Sequence, residues 1–197
     1  MDWNRVWEHL MLVSIAGVFT VVFGLLLGFA AHLDRRAGRV ILAVVDVLQT
    51  IPALALLGII MVFFGGSSAT VIVGLVLYSL LPVVRNTCTG LDSVSPAVKE
   101  AALGMGMSRA ARLFTVEFPI AFPTIFTGIR IAVVTSISVA VFGTFVGGGG
   151  LGSVIYRGIY VQDMGRILFG TAALMAMAVL LDFSMSLVEK RLYRHRM

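Results

Sequence analysis

Five apolar stretches dominate the chain, at about 10–33, 40–64, 70–84, 124–146 and 167–188. A hydrocarbon core of ~30 Å takes ~20 helical residues to cross, so the pattern predicts an all-α membrane protein with about five spans. The third stretch is short, and Pro82 is expected to end it, because proline lacks a backbone donor and clashes with the preceding turn. Short polar breaks at 34–39 and at Gly65-Gly66-Ser67-Ser68 separate the first three spans. A long polar segment, 85–119, precedes the fourth span, and a glycine-rich one, 147–166, follows it. Residues 1–9 mix Asp2, Arg5 and Glu8 ahead of an apolar run too long for a secretory leader, so they read as a retained N-terminal segment. Trp3 and Trp7, four apart, fall on one helical face and suit an interfacial anchor.

Composition agrees with this pattern. Of the 197 residues, 59% are hydrophobic and 13% charged, against ~25% charged in soluble domains. One globule of this size has no means of hiding so much apolar surface. The single cysteine, Cys88, excludes an internal disulfide and a cysteine-built zinc site. A net charge of +5 could suggest nucleic acid, but in a membrane chain basic residues mark the cytoplasmic side. Arg35, Arg36, Arg39, Arg85, Lys99, Arg109, Arg112, Lys190, Arg191, Arg194 and Arg196 fall on one side; only Arg5, Arg157 and Arg166 fall on the other. The predicted orientation therefore has an external N-terminus, a cytoplasmic 85–119 segment and a cytoplasmic basic tail at 190–197.

Three ionisable residues fall within spans, where each costs ~2.5–3.5 kcal/mol on insertion scales. Asp46, Arg130 and Asp182 each lie about six residues from a predicted cytoplasmic span end, or ~9 Å deep at ~1.5 Å per residue. Two readings fit: Arg130 pairs with Asp46, Asp182 or both, or each side chain snorkels separately to the interface. Gln49, Thr50, Pro52, Tyr78, Ser79, Thr135, Ser136 and Ser138 add polar or backbone-freeing positions to spans two to four and are pore or gate candidates. The hydroxyls can equally bond their own helix carbonyls. Gly24 and Gly28 form a small-xxx-small pair suited to close packing, within the subunit or between copies.

The 85–119 segment is longer than a connector needs. Ser95-Pro96 reads as a helix start, with a hydroxyl at the cap and proline at the first helical position. Gly104 and Gly106 are expected to stop that helix, and Ser108 to cap a second, which Pro119 and Pro123 terminate. Glu100-Ala101-Ala102, then Gly106 after three intervening residues, then Val116-Glu117-Phe118-Pro119, resembles the EAA motif of ATP-binding cassette importer permeases. The likeness runs from about Ser14 to Val188. Leu48-Gln49-Thr50-Ile51-Pro52-Ala53 and Gly148-Gly149-Gly150-Leu151-Gly152 look most like the osmoprotectant branch, which imports glycine betaine, choline, carnitine or proline-like solutes.

The resemblance implies a type I importer permease fold in the cell's inner or plasma membrane. It implies a coupling helix in which Glu100, Ala101, Ala102, Leu103, Gly104, Gly106, Ser108 and Arg109 meet a separate ATPase subunit. ATP and Mg would be bound by that partner, and no cofactor by this chain. A solute-binding protein and a second copy or paralogue of the permease complete the expected partners, with membrane lipid around them and no nucleic acid. Ala101 and Ala102 are expected to offer a small-residue surface for close approach. An amphipathic helix lying on the membrane surface is the plainer reading of the same residues.

No catalytic or metal-binding residue is expected. His9, His32 and His195 sit at span ends without ligand spacing. Gly147–Gly152 lacks the lysine of a phosphate loop and reads instead as a flexible turn that re-enters the pore mouth or meets a binding protein. Two rivals from other classes are an ion-coupled secondary transporter or channel using Asp46 and Asp182, and a structural or signalling membrane protein.

Overall fold

A computed structural model describes residues 3–194, with side chains through Arg191. The chain is helical almost throughout, from α1 (Trp3–Leu33) to α9 (Met164–Arg194). Asp34 separates α1 from α2 (Arg35–Thr50) by capping the latter, its carboxylate accepting from the Arg36 amide at 2.8 Å. Pro52 then breaks the second apolar stretch. Ile51, held extended as residues before proline usually are, separates α2 from α3 (Ala53–Phe64), and the two helices diverge by 102°. The single span expected over 40–64 is therefore two shorter helices.

Pro82 has the opposite outcome. Ser67 caps α4 (Ser68–Asp92), which continues through Pro82 for ten further residues instead of ending there. Packing explains the difference. The Pro82 carbonyl lies directly under Gly128, where a Cβ would come within 2.5 Å of it, and the Asn86 amide donates to the same oxygen at 2.7 Å. Close packing against α7 at Gly128 accompanies this proline within its helix, whereas Pro52 is exposed.

Two short helices follow, α5 (Pro96–Gly104) and α6 (Arg109–Arg112). Pro119 and Pro123 do not terminate the second. It widens into a π turn, Leu113–Glu117, and continues as α7 (Phe118–Ala140). An i→i+5 turn before Pro119 relieves the clash its ring would make with a carbonyl four residues back. The helix then tightens to a 3₁₀ turn, Val141–Val146, before α8 (Gly150–Tyr160). The glycine segment is not a loose turn. Gly147, Gly149 and Gly150 hold φ of +80°, +72° and +71°, and a Cβ on Gly148 would lie 2.2 Å from Val71.

Among the described residues, α1, α4, the continuous run Arg109–Val146 and α9 are each long and apolar enough to cross a membrane, and the bent α2–α3 pair makes a fifth candidate. Helix α4 is central, packing along α1, α7, α2 and α3. The Gly24/Gly28 pair serves packing within the subunit: Cβ atoms there would come within 2.6 Å of Val83 and 2.5 Å of Thr87. One cluster of core residues, including Leu12, Val13, Leu57, Val71, Leu75, Ile137 and Leu151, fills the end nearer the N-terminus. A second, of Leu91, Val94, Leu113, Ala121 and Ile125, lies under α5 and the π turn. The tail expected over 190–197 is helical through Arg194; Asp2, His195 and Arg196 lie outside the described residues.

Because Thr87 meets Gly28 through its Cβ, next to backbone, relief by a rotamer change is closed off. Gly28→Val is expected to force α1 and α4 apart at an overpacking cost of ~1–3 kcal/mol. The check is a lowered thermal midpoint in detergent, with Ser14→Ala on the same helix as the unaffected control.

Candidate functional site

The α5 region presents the motif residues as one surface. Ser95 caps α5 through its backbone carbonyl, which accepts from Val98 and Lys99, while its hydroxyl makes no cap bond. At the other end Gly106 takes φ +78°, the left-handed conformation that suits glycine. Gly104 does not share it. The Met107 amide reaches back to Ala102 O at 3.1 Å and the Gly106 amide to Leu103 O at 2.9 Å, closing a Schellman turn. Ser108 caps α6, accepting from the Ala111 amide at 3.2 Å.

Glu100, Ala101, Leu103, Gly104, Gly106, Ser108 and Arg109 are all exposed. Ala102 is not: at 1% exposure it faces the bundle, so only Ala101 supplies the small-residue surface expected of the pair. Two apolar side chains stand out beside the motif, Leu103 at 50% exposure and Met105 at 71%. No side chain is within 4 Å of where a Cβ on Gly104 or Gly106 would lie. The surface thus combines one carboxylate, exposed apolar side chains and unobstructed glycines, a composition suited to receiving a partner's groove.

Beneath it lies a polar cluster that the sequence reading passed over. Glu117 sits inside the π turn at 1% exposure. Its Oε1 accepts from Arg112 Nε at 2.6 Å, and its Oε2 lies 3.2 Å from His32 Nε2 and 3.5 Å from Lys99 Nζ. His32, at the end of α1, also places Nδ1 2.7 Å from Asp92 Oδ1 at the end of α4. Lys99 Nζ also donates to Leu91 O at 3.0 Å. One legible signal was Glu117 itself, a lone carboxylate within the apolar run Leu113–Phe118. Its partners come from residues up to 85 positions away in sequence, which no local pattern reveals. The two carboxylates lie on opposite sides of the imidazole, so they do not converge as metal ligands would, and no such group occurs among the described residues.

The intramembrane charges divide into two pairs. Arg130 on α7 grips Asp182 on α9 in a fork, Nε to Oδ1 at 2.6 Å and Nη2 to Oδ2 at 2.7 Å, with Glu189 at 3.4 Å from Nη1. Asp46 is not part of this group. It pairs with Arg85, joining α2 to α4. Sequence position gave equal depths for Asp46 and Asp182 but not which helices are neighbours.

The pore candidates separate as well. Ser79 and Ser136 are buried, bonded to each other at 2.8 Å between α4 and α7, and Ser136 also donates to Ala132 O. As placed they join helices and line no open surface. Tyr78 packs partly buried against the larger core cluster. Thr135 is half-buried and Ser138 exposed on α7. Gln49, Thr50 and Pro52 gather at the α2–α3 break, where the Thr50 hydroxyl donates to Val47 O at 2.7 Å. At the opposite end from α5, His9 is buried, with Nε2 3.1 Å from Ile137 O, and Glu8 accepts from the Gly150 amide at 3.0 Å. These contacts fasten the N-terminal turns of α1 to α7 and α8, a role its position at a span end did not suggest.

A charge exchange tests the fork. Arg130→Asp alone is expected to lower membrane abundance, and adding Asp182→Arg to raise it again, because the two groups form a directional pair. Adding Asp46→Arg instead should give no recovery. Immunoblots of membrane fractions read the difference.

The sequence model described as "Binding-protein-dependent transport system inner membrane component" matches residues 20–194. The carnitine transport permease protein OpuCD of Listeria monocytogenes is 40% identical over 188 residues, spanning 94% of this chain and 84% of that protein. The glycine betaine/carnitine/choline transport system permease protein OpuCD of Bacillus subtilis (strain 168) is 42% identical over 183 residues, 92% of this chain and 80% of its own. Among solved structures, a chain of the MetNI methionine ABC transporter in an inward-facing conformation superposes with a TM-score of 0.88, at 23% identity and with 96% and 94% of the two chains covered. That likeness speaks for the fold. With most of its length matched by the family model, this chain belongs to the inner membrane components of binding-protein-dependent transport systems, as a multi-pass permease subunit.

Proposed function

We propose that this chain forms half of the translocation pore of an ATP-driven importer of osmoprotectants such as glycine betaine, carnitine or choline. The observation that carries the coupling is the exposed surface of Glu100, Ala101, Leu103 and Met105 around the left-handed Gly106. A separate ATPase, carrying ATP and Mg, docks there and moves α5 as it closes. The chain itself contributes no catalytic site. A second copy or a paralogue supplies the other half of the pore, since closed symmetry is the usual way for small subunits to enclose a channel.

The basic bias of one side supports an orientation with α5 and the C-terminus cytoplasmic and the N-terminus external. A solute-binding protein delivers the substrate on the external side. The substrate class rests on the relatives named above, whose names specify carnitine, choline and glycine betaine. Gln49, Thr50, Pro52 and Ser138 remain the pore or gate candidates, together with half-buried Thr135. A secondary transporter driven by Asp46 and Asp182 fits poorly, because Asp182 is engaged by Arg130 and Asp46 by Arg85.

Gly106→Leu meets open space but places a branched-side-chain residue at φ +78°. Strain of ~1–3 kcal/mol is expected to distort the docking turn and reduce glycine betaine uptake by about tenfold, with membrane abundance unchanged. Glu100→Lys should act similarly by reversing the charge of the surface. Copurification of the ATPase and uptake by cells expressing the whole importer are the readouts. Wild-type uptake in both variants would overturn the coupling role.

A further inference from the structure

Carboxylates are rarely buried completely, and those that are carry partners. Glu117 has three, each from a different part of the fold: Arg112 from α6, His32 from the end of α1 and Lys99 from α5. Docking on the outer face of α5 does not require any of these contacts. Transmission of force does. Helix α5 has only nine residues and is joined to the rest of the chain by non-helical links at both ends. Ala102 seats α5 against the bundle by apolar contact alone, and a helix on such links passes its movement to the spans more firmly through a side chain that holds them. Lys99 is that side chain, reaching Leu91 O at the end of α4 and Glu117 Oε2 inside the π turn.

We propose that Lys99 and Glu117 are positioning residues for ATP coupling, Lys99 as the tether between α5 and the spans and Glu117 as the fixed point where α1, α6 and α7 meet. This rests on the docking reading above. Through Glu117 the tether reaches the last turn of α1 and the start of α7; through Leu91 O it reaches α4. Helix α4 packs extensively on both α1 and α7, and α1 also meets α7, so a pull at their common end moves them together. The groups that face Glu117 are cationic or hydrogen-bond donors, and Asp92 holds His32 from behind. Arg112 fixes Glu117 by a short charge-assisted bond, and Lys99 is anchored by its hydrogen bond to Leu91 O and its charge pairing with Glu117, contacts that slide less readily than apolar ones. Helices α2 and α9 lie outside this group, held by the Asp46–Arg85 and Arg130–Asp182 pairs.

The test uses the complete importer, with permease, ATPase and solute-binding protein, in proteoliposomes supplied with glycine betaine. Glu117→Gln removes the fixed point, yet leaves cationic groups without their carboxylate and risks misfolding. Lys99→Met is the decisive variant, because Lys99 is part-exposed and the Arg112 and His32 contacts to Glu117 survive it. Lys99→Met is expected to keep the ATPase bound and hydrolysing while solute imported per ATP falls by about fivefold, and Lys99→Arg to restore most of it. An unchanged ratio in Lys99→Met would overturn the proposal, as would loss of the ATPase, which would make Lys99 a docking residue. Leu103→Cys in an otherwise unchanged permease is crosslinked to the ATPase in parallel. Failure of that crosslink sinks the docking reading itself; a strong crosslink with an unchanged ratio sinks only the positioning role.

Discussion

The close approach of α1 to α4 is the constraint on which the other contacts depend. In lipid there is little hydrophobic gain from pressing two apolar helices together, so association relies on fit. Gly24 and Gly28 supply it by letting Val83 and Thr87 settle against bare backbone. With that seam closed, the C-terminal ends of α1 and α4 fall side by side, and His32 can bridge from Asp92 to Glu117. The same central helix presents its other faces to α7, α2 and α3. A side chain at either glycine would therefore disturb a polar cluster one or more turns away, although it touches none of its members.

The cluster and the docking surface are two sides of one short helix. Ala102 faces inward and Lys99 reaches the buried carboxylate, while Glu100, Ala101 and Leu103 face away. The π turn makes this possible. By widening the helix ahead of Pro119 it keeps the helix from α6 to α7 continuous and holds Glu117 in the interior. Such wide turns recur at functional positions in helices because they displace side chains that a regular helix would aim elsewhere. Here the displacement turns a membrane-edge glutamate into the meeting point of three helices.

How much of this was legible depended on whether a property is local. The apolar runs, the Ser108 cap and the left-handed Gly106 are written within a few residues, and the chain folds accordingly. The two prolines of spans two and three are the instructive pair. Both remove a backbone donor, yet Pro52 breaks its helix and Pro82 does not; the latter packs against Gly128, far along the chain, and its carbonyl is bonded by Asn86 one turn on. Charge partnership was hidden for the same reason. Asp46 and Asp182 looked equivalent by depth, and only the arrangement of helices assigns one to Arg85 and the other to Arg130. The serines of α4 and α7 looked like pore lining because hydroxyls in a span invite that reading; the register between two helices instead turned them toward each other.

The break at Pro52 bears on how the protein enters the membrane at all. At ~1.5 Å per residue, the 16 residues of α2 and the 12 of α3 extend ~24 Å and ~18 Å, and neither reaches across a core of ~30 Å. Neither half therefore qualifies as a stop signal by itself during synthesis. The pair crosses only jointly, and the backbone groups freed at the Ile51–Pro52 break need protein or water against them. The second crossing thus leans on the helices around it: α2 packs on α1 and α4, and α3 on α4.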